Sequence, residues 1–307
     1  MTHYELFQVP VEGGSLVAGR WGAGPTVVVA SHGITANHRS WQTVGELLDE
    51  RSGGQLSLVA LDHRGRAGSA ATPGTYGLAQ HADDAVALLD HMGVETAVFT
   101  GHSMGGFVVA NAAERHPDRV ERLVLVDGGL PFAMDLPGGL TPDALDDDAI
   151  EVIVQSVIGP ALDRLNQRWP DEEAYVDFFR SHPAFQPPNE WTTAVEAYVR
   201  YDAVLTDEGD IRSSVAKAAV LVDGAAAIVD PTSAAAIERI DVPATLLWAP
   251  RGLLDQTPGL YSAQQVAQAC DELAHLQARL VDDVNHYTIA VADGGAAAIV
   301  GELLSRA

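Results

Sequence analysis

The residues best suited to chemistry are centred on Ser103, in the segment Gly101-His102-Ser103-Met104-Gly105. An apolar run precedes this Gly-x-Ser-x-Gly segment and a helical pattern follows it, the strand–turn–helix context that makes the motif informative. Glycines at both flanking positions suit a turn too tight for a Cβ. The serine hydroxyl would then stand clear of the strand end, in front of a helix N-terminus, as a nucleophile does.

A serine hydroxyl needs a general base, and the base needs an orienting acid. His286 is the predicted base, because it follows the last predicted strand in a loop that can reach back to Ser103. Two aspartates fit the chain order serine, acid, histidine. Asp255 follows the strand that ends at Trp248, and Asp127 ends an earlier strand. We favour Asp255 as the acid and keep Asp127 as the alternative.

The developing oxyanion needs two N–H donors, and loss of one such donor typically costs about 3 kcal/mol. The Met104 N–H directly follows the nucleophile, and the Ile34 N–H in the segment His32-Gly33-Ile34 is the predicted second donor. Gly33 removes a side chain that would block the approach of the substrate. The residues predicted to contact the substrate are His32, Gly33, His102, Phe132 and Trp191.

Alternating strands and helices must position these groups. Strands are predicted at 4–11, 15–21, 25–30, 56–61, 96–99, 122–127, 244–248 and 276–281, with helices between most of them. The pattern predicts a mostly parallel, doubly wound α/β sheet. Ligands bind at the carboxyl ends of strands in such sheets, and the loops singled out above all lie at those ends.

The alternation breaks between about residues 130 and 240, where the pattern is helical and rich in aromatic residues. Helices are predicted at 149–157, 172–180, 193–205, 216–226 and 233–240. We interpret this segment as a helical cap over the strand ends. The predicted organisation is a core at 1–130, a cap at 131–240 and the rest of the core at 241–307.

Composition excludes several classes of function. The chain has 307 residues, 47% of them hydrophobic, and a net charge of -24, which argues against nucleic acid and anionic membranes as partners. Cys270 is the single cysteine, so no internal disulfide can form. No metal-ligand spacing or nucleotide fingerprint occurs, and we expect no cofactor. With no signal peptide or membrane span in the sequence, we expect a cytoplasmic monomer or homodimer.

Four motifs together resemble those of the α/β-hydrolase superfamily: Ser-His-Gly-Ile at 31–34, Asp-His-Arg-Gly-Arg-Ala-Gly-Ser at 62–69, Gly-His-Ser-Met-Gly-Gly at 101–106 and Asn-His at 285–286. The resemblance implies an eight-stranded, mostly parallel sheet with helices on both faces and the cap inserted after the sixth strand. It carries over the nucleophile, the base and the two oxyanion donors named above. One departure is that Ala249-Pro250 stands where many members have a glycine, so that Asp255 comes late.

The resulting hypothesis is a serine hydrolase that cleaves a small, mostly apolar or aromatic carboxylic ester, similar to an esterase-like branch of that superfamily. A carbon–carbon bond hydrolase of ring-cleavage products, a lactonase or a cofactor-free perhydrolase would use the same triad. A non-enzymatic ligand receptor on this fold is the third alternative, and the intact serine, aspartate and histidine set argues against it.

Overall fold

The computed structural model describes residues 2–132 and 145–305. The strands are β1 (Tyr4–Val11), β2 (Gly14–Trp21), β3 (Thr26–Ser31), β4 (Leu56–Leu61), β5 (Ala97–His102), β6 (Val120–Val126), β7 (Ala203–Leu205), β8 (Ile211–Ser213), β9 (Ala244–Trp248) and β10 (Leu276–Leu280). The helices are α1 (Gln42–Arg51), α2 (Leu78–Met92), α3 (Met104–Arg115), α4 (Asp147–Leu165), α5 (Glu172–Arg180), α6 (Thr193–Asp202), α7 (Lys217–Ile228), α8 (Pro231–Ala234), α9 (Ala263–Glu272), α10 (Thr288–Val291) and α11 (Asp293–Leu304).

Eight strands form one sheet in the order β1-β2-β4-β3-β5-β6-β9-β10. β1 and β2 pair antiparallel, β2 joins β4 antiparallel, and every other neighbouring pair is parallel. The predicted eight-stranded, mostly parallel sheet is therefore confirmed. Successive residues of the central strands pack into separate hydrophobic clusters, Val27 and Val29 into one and Val28 and Ala30 into the other. Burial on both faces explains the continuous apolar runs in the sequence.

The helices α4 to α8 lie between β6 and β9, which confirms the predicted helical insertion after the sixth strand of the sheet. The prediction of one helix over 193–205 was wrong at its end. The helix stops at Asp202, and residues 203–205 form β7, which pairs with β8 in a short hairpin. Part of the predicted cap, residues 133–144, lies outside the described residues. An aromatic cluster that includes Tyr175, Phe179 and Tyr198 packs α5 and α6 of the insertion against each other and against α10.

Helix α4 bends in its middle. Pro160 stands inside the helix, and Ile158 has non-helical backbone angles (φ -122°, ψ 23°). Proline removes one backbone N–H and clashes with the preceding turn, which accounts for the bend. Within residues 2–132 and 145–305, no helix is both long enough and apolar enough to cross a bilayer.

The turn between β5 and α3 tests the prediction that its glycines exclude a Cβ. A Cβ on Gly101 would lie 2.0 Å from the Gly105 carbonyl oxygen, and a Cβ on Gly105 would lie 2.0 Å from the Ser31 carbonyl oxygen. Both contacts are with backbone atoms, which cannot rotate away. The two glycines are therefore required by the close approach of three chain segments.

We expect Gly105→Ala to lower the free energy of unfolding by about 3 kcal/mol or more, because the methyl group overlaps a fixed carbonyl. Gly301→Ala is the matched control, since a Cβ there meets open space in α11 and should stabilise the helix by up to about 1 kcal/mol. Urea denaturation measures both. Equal effects of the two substitutions would contradict the steric argument.

Candidate active site

Ser103 lies between the end of β5 and the start of α3, with φ 57° and ψ -124°. A positive φ is unusual for a residue with a side chain and stores strain that the surroundings must hold. Backbone hydrogen bonds do so: the Ser103 N–H donates to Val126 O (2.9 Å), and its carbonyl accepts from the Gly106 N–H (2.9 Å). The Ser103 side chain lines a large cavity between the sheet edge and the helices of the insertion.

His286 lines the same cavity and is paired with Asp127. The Nδ1 atom of His286 lies 2.7 Å from Oδ2 of Asp127, and the two side chains are 4% and 0% exposed. A carboxylate can only accept, so Nδ1 carries the proton and Nε2 is left as the acceptor. The other oxygen of Asp127 accepts from the Ala249 N–H at 3.0 Å. An imidazole in this tautomer can take a proton from a nearby hydroxyl.

His102 fixes the backbone of the same histidine. Its Nε2–H donates to the carbonyl oxygen of His286 at 2.7 Å, and the two rings lie 4.7 Å apart. Burial, reinforced by the neighbouring His286, lowers the pKa of His102 to about 3. The ring is therefore neutral at physiological pH. His102 also lines the cavity, and its contact with the substrate stays a prediction.

The expectation that Asp255 partners His286 is corrected by this geometry. The Asp255 carboxylate pairs with Arg251 at 2.8 Å and accepts from the side-chain amides of Asn285 (2.8 Å) and Asn189 (3.2 Å). It is 23% exposed. The Ala-Pro turn after β9 starts a longer loop that carries this carboxylate away from the imidazole. Asp127, with φ 45°, turns directly off the end of β6 and meets the ring.

The loop that follows β3 is hydrogen-bonded to Arg66, which also forms a buried ion pair with the insertion. Arg66 donates from Nε (3.0 Å) and Nη2 (2.8 Å) to the carbonyl oxygen of Ile34. Its Nη1 lies 2.5 Å from Oδ2 of Asp223, on α7. Although burial raises the pKa of Asp223, the nearby His81 and Arg66 hold it below its usual value. The insertion and the Ile34 loop are thus joined through one guanidinium.

Ile34 and Met104, whose N–H groups were predicted to face the oxyanion, line the cavity together with Gly33 and Phe132. A Cβ on Gly33 would lie 3.4 Å from the Cβ of Ser103, so the loop passes close to the serine. All four residues therefore border the cavity that Ser103 lines. The roles of the Ile34 and Met104 N–H groups stay a prediction.

Two predicted substrate contacts are wrong. His32 is fully buried behind the loop, where its Nδ1–H donates to Gly33 O (2.8 Å) and its Nε2 accepts the His63 N–H (3.0 Å). The Trp191 indole N–H donates to Glu196 at 3.1 Å, and its ring packs edge-on against Phe185. One side chain braces the loop and the other braces the outside of the insertion.

Sequence reasoning assigned no polar role to the hydrogen-bonding residues of the cavity. Four of them lie toward the insertion: Arg164, His182, Tyr198 and Tyr287. Tyr287 could have been noticed, because it directly follows the predicted base. Arg164 lies in α4, His182 lies after the end of α5 and Tyr198 lies in α6, and no local motif marks these three. Across residues 2–132 and 145–305, no three His, Cys, Asp or Glu side chains converge in a way that could hold a metal ion.

Comparison with known proteins agrees with this architecture. A family model described as alpha/beta hydrolase fold matches residues 26–177. The proposed carbamate hydrolase RutD of Caulobacter vibrioides is 35% identical over 127 residues, covering 41% of this chain and 42% of RutD. The chain therefore matches about two fifths of the length of this curated relative.

Solved structures share the fold over nearly the whole chain. E-2-(acetamidomethylene)succinate hydrolase superposes with a TM-score of 0.70 at 21% identity, covering 97% of this chain and 98% of the other. The Mycobacterium tuberculosis esterase Rv0045c gives a TM-score of 0.68 at 20% identity, covering 98% and 92%. The chain therefore has the α/β-hydrolase fold.

The buried histidines make stability depend on pH. Burial lowers the pKa of His32, like that of His102, to about 3, against 6.5 for a free histidine. Below pH 6.5 the unfolded chain takes up protons that the folded protein refuses, so stability is full above that pH and falls as the pH drops. Each of the two should cost about 1 kcal/mol between pH 6.5 and about 5.5.

Urea denaturation at pH 7.5 and about 5.5 measures this loss. In His32→Gln, which has no imidazole to protonate, we expect a smaller difference between the two pH values than in the wild type. His91→Gln, at an exposed histidine, is the control and should keep the wild-type difference. A wild-type protein equally stable at both pH values would contradict the assignment of neutral buried rings.

Proposed function

We propose that the protein is a serine hydrolase that cleaves a small carboxylic ester through an acyl-enzyme intermediate. The observation that carries the proposal is the buried Asp127–His286 pair in the cavity that Ser103 lines. A buried carboxylate that fixes one imidazole tautomer beside a strained serine is the arrangement that nucleophilic acyl transfer needs. The match of residues 26–177 to a family model of the α/β-hydrolase fold supports it.

In the proposed mechanism, Ser103 Oγ attacks the ester carbonyl while Nε2 of His286 takes its proton. The tetrahedral oxyanion accepts hydrogen bonds from the N–H groups of Ile34 and Met104. His286 then gives the proton to the leaving alcohol as the C–O bond breaks. Water, deprotonated by the same imidazole, attacks the acyl-enzyme, and the acid and free serine are released. Asp127 stays ionised and stabilises the imidazolium in both halves of the reaction.

Carbamate hydrolysis is the second candidate, because the curated relative RutD carries that proposed activity in its name. The same triad and oxyanion donors would serve either acyl group. Carbon–carbon bond cleavage, lactone hydrolysis and perhydrolysis remain alternatives on the same residues. A panel of p-nitrophenyl esters, N-aryl carbamates, lactones and vinylogous diketones separates them by the substrate with the highest kcat/KM.

The first experiment on this proposal compares two aspartates. We expect Asp127→Asn to lower kcat by about 10⁴-fold, because the amide would hold the imidazole in the wrong tautomer. Asp255→Asn is the matched control and should retain most of the activity, because the Asp255 carboxylate forms an ion pair with Arg251 and not a contact with His286. Turnover of p-nitrophenyl butyrate measures both. Collapse of activity in Asp255→Asn alone would refute the assignment of the acid.

Ser103 is tested independently of turnover. A fluorophosphonate probe should label the wild-type protein and leave Ser103→Ala unlabelled. Folded wild-type protein that stays unlabelled would favour the alternative of a non-enzymatic receptor. Equal labelling of Ser103→Ala would show that Ser103 is not the nucleophile.

A further experiment addresses the loop that carries Ile34. Arg66→Lys keeps a positive charge near Asp223 but loses the fork that grips the Ile34 carbonyl. We expect kcat to fall by roughly 10- to 100-fold with KM nearly unchanged, because the misplaced loop weakens only transition-state contacts. Arg64→Lys is the control. Arg64 lies in the same segment but pairs with Asp84 at 2.7 Å, away from Ile34, and its change should lower stability and leave kcat alone.

A further inference from the structure

The residues that line the cavity form two chemical sets. Apolar residues are the majority, and those that pack with Ile34, namely Phe107, Phe132, Ile158 and Ile228, form what we call the apolar wall. Four hydrogen-bonding side chains, bordered by Phe178 and Phe179, form the second set: Arg164, His182, Tyr198 and Tyr287. This second set, which we call the polar end, has no part in the mechanism above.

The positive charge of Arg164 at the polar end is already neutralised by Asp202. Its Nη1 lies 2.8 Å from Asp202, and the same nitrogen donates to the Tyr175 hydroxyl at 2.5 Å. Asp202 also accepts from Ser213 Oγ (2.8 Å) and Ser214 Oγ (2.5 Å), so its charge is fully engaged. The other two nitrogens of the guanidinium are less engaged. Nη2 makes only a long contact of 3.5 Å with the Thr35 carbonyl, and Nε has no partner among the described residues. Arg164 can therefore still donate N–H groups to a molecule in the cavity.

The two tyrosines add hydroxyl groups of the same kind. Tyr198 is only 6% exposed, and among the described residues neither its hydroxyl nor that of Tyr287 has a hydrogen-bond partner. Burial raises the pKa of both, so both stay protonated and able to donate. The Tyr287 ring lies 5.6 Å from the ring of His286, so the polar end begins one residue beyond the proposed base.

His182 completes the set. Its Nδ1 accepts the Ala184 N–H at 3.2 Å, which leaves the proton on Nε2. Burial lowers the pKa of this imidazole, so the ring is neutral and Nε2–H is a donor. The ring packs edge-on against Tyr287 with centroids 5.5 Å apart. All four side chains thus offer N–H or O–H groups.

This inventory favours an occupant rich in acceptors and without charge. Donors buried without a partner are costly, and an acceptor group in a bound molecule would satisfy them. A carboxylate would bring a new negative charge beside a guanidinium that Asp202 already neutralises, in a protein of net charge -24. An uncompensated buried charge costs more than a neutral group that makes the same hydrogen bonds.

We propose that the polar end is a specificity subsite for an uncharged acceptor oxygen of the substrate, such as a keto, amide or ether oxygen. The proposal rests on the proposed function, because the subsite selects among esters presented to Ser103. The apolar wall would take the hydrocarbon part of the same substrate. The expected substrate is therefore a neutral ester with a second oxygen function on one side of the scissile bond.

The test uses ester chains of equal length in three forms: all-carbon, with an internal keto group, and with a terminal carboxylate. One series carries the chain in the acyl half of p-nitrophenyl esters, and a second series, followed by acid release, carries it in the alcohol half. Only the half of the ester that reaches the polar end should show a preference. In the series that varies that half, we expect kcat/KM to be about 10-fold higher for the keto ester than for the all-carbon ester, and lowest for the carboxylate ester.

Single-hydroxyl variants assign that preference to the polar end. Tyr198→Phe and Tyr287→Phe should each lower kcat/KM for the keto ester by about 3- to 10-fold and leave the all-carbon ester unchanged. Tyr76→Phe is the matched control, since that tyrosine lies outside the cavity, and should change neither. Equal turnover of keto and all-carbon esters in both series, or a preference for the carboxylate, would overturn the subsite while leaving ester hydrolysis intact.

If the wild-type protein hydrolyses no ester, the proposed function fails, and the subsite is then decided by binding. The three chains, prepared as N-propyl amides, are titrated calorimetrically into Ser103→Ala. Tighter binding of the keto chain that is lost in the Ser103→Ala, Tyr198→Phe double variant supports the subsite. Equal binding of all three chains refutes it.

Discussion

The hydrogen bond between Asp127 and His286 is the constraint on which the rest of the site depends. It joins residues 159 positions apart, so it forms only when the sheet has placed β6 and the loop after β10 on the same edge. It is also shielded from water, which would otherwise compete for the carboxylate and the ring N–H. The parallel sheet satisfies the first condition, and the insertion over the strand ends satisfies the second.

A second constraint is the backbone of Ser103, which is held in a region that costs free energy for any residue with a Cβ. The surrounding glycines let three chain segments approach closely enough to hold it. Arg66 links the loop after β3 to the insertion, because it donates to the Ile34 carbonyl and forms an ion pair with Asp223 on α7. The site is thus built from tightly packed backbone and from buried polar groups whose hydrogen bonds hold its loops.

Local patterns were enough to predict the individual strands, the turn around Ser103 and a loop after β10 that carries His286, because each of these depends on neighbours in sequence. The choice between Asp127 and Asp255 could not be made from neighbours in sequence. It depends on the path of the loop after β9, and only the Ala249-Pro250 departure indicated that this loop is unusual. The β7–β8 hairpin was missed because three-residue strands leave little periodicity, and His32 was misplaced because burial behind a loop has no sequence signature.

The insertion enters the chain between the proposed acid and the proposed base, so Asp127 precedes it and His286 follows it. All the groups proposed to act in bond cleavage belong to the flanking segments, whereas Arg164, His182 and Tyr198 belong to the insertion. Under these proposals, mutations in the insertion would alter which substrates bind without disturbing the groups that react. Asp223 limits how far the insertion can vary, because α7 must still bring this carboxylate to Arg66. Divergence among relatives should then concentrate in the insertion and spare that one contact.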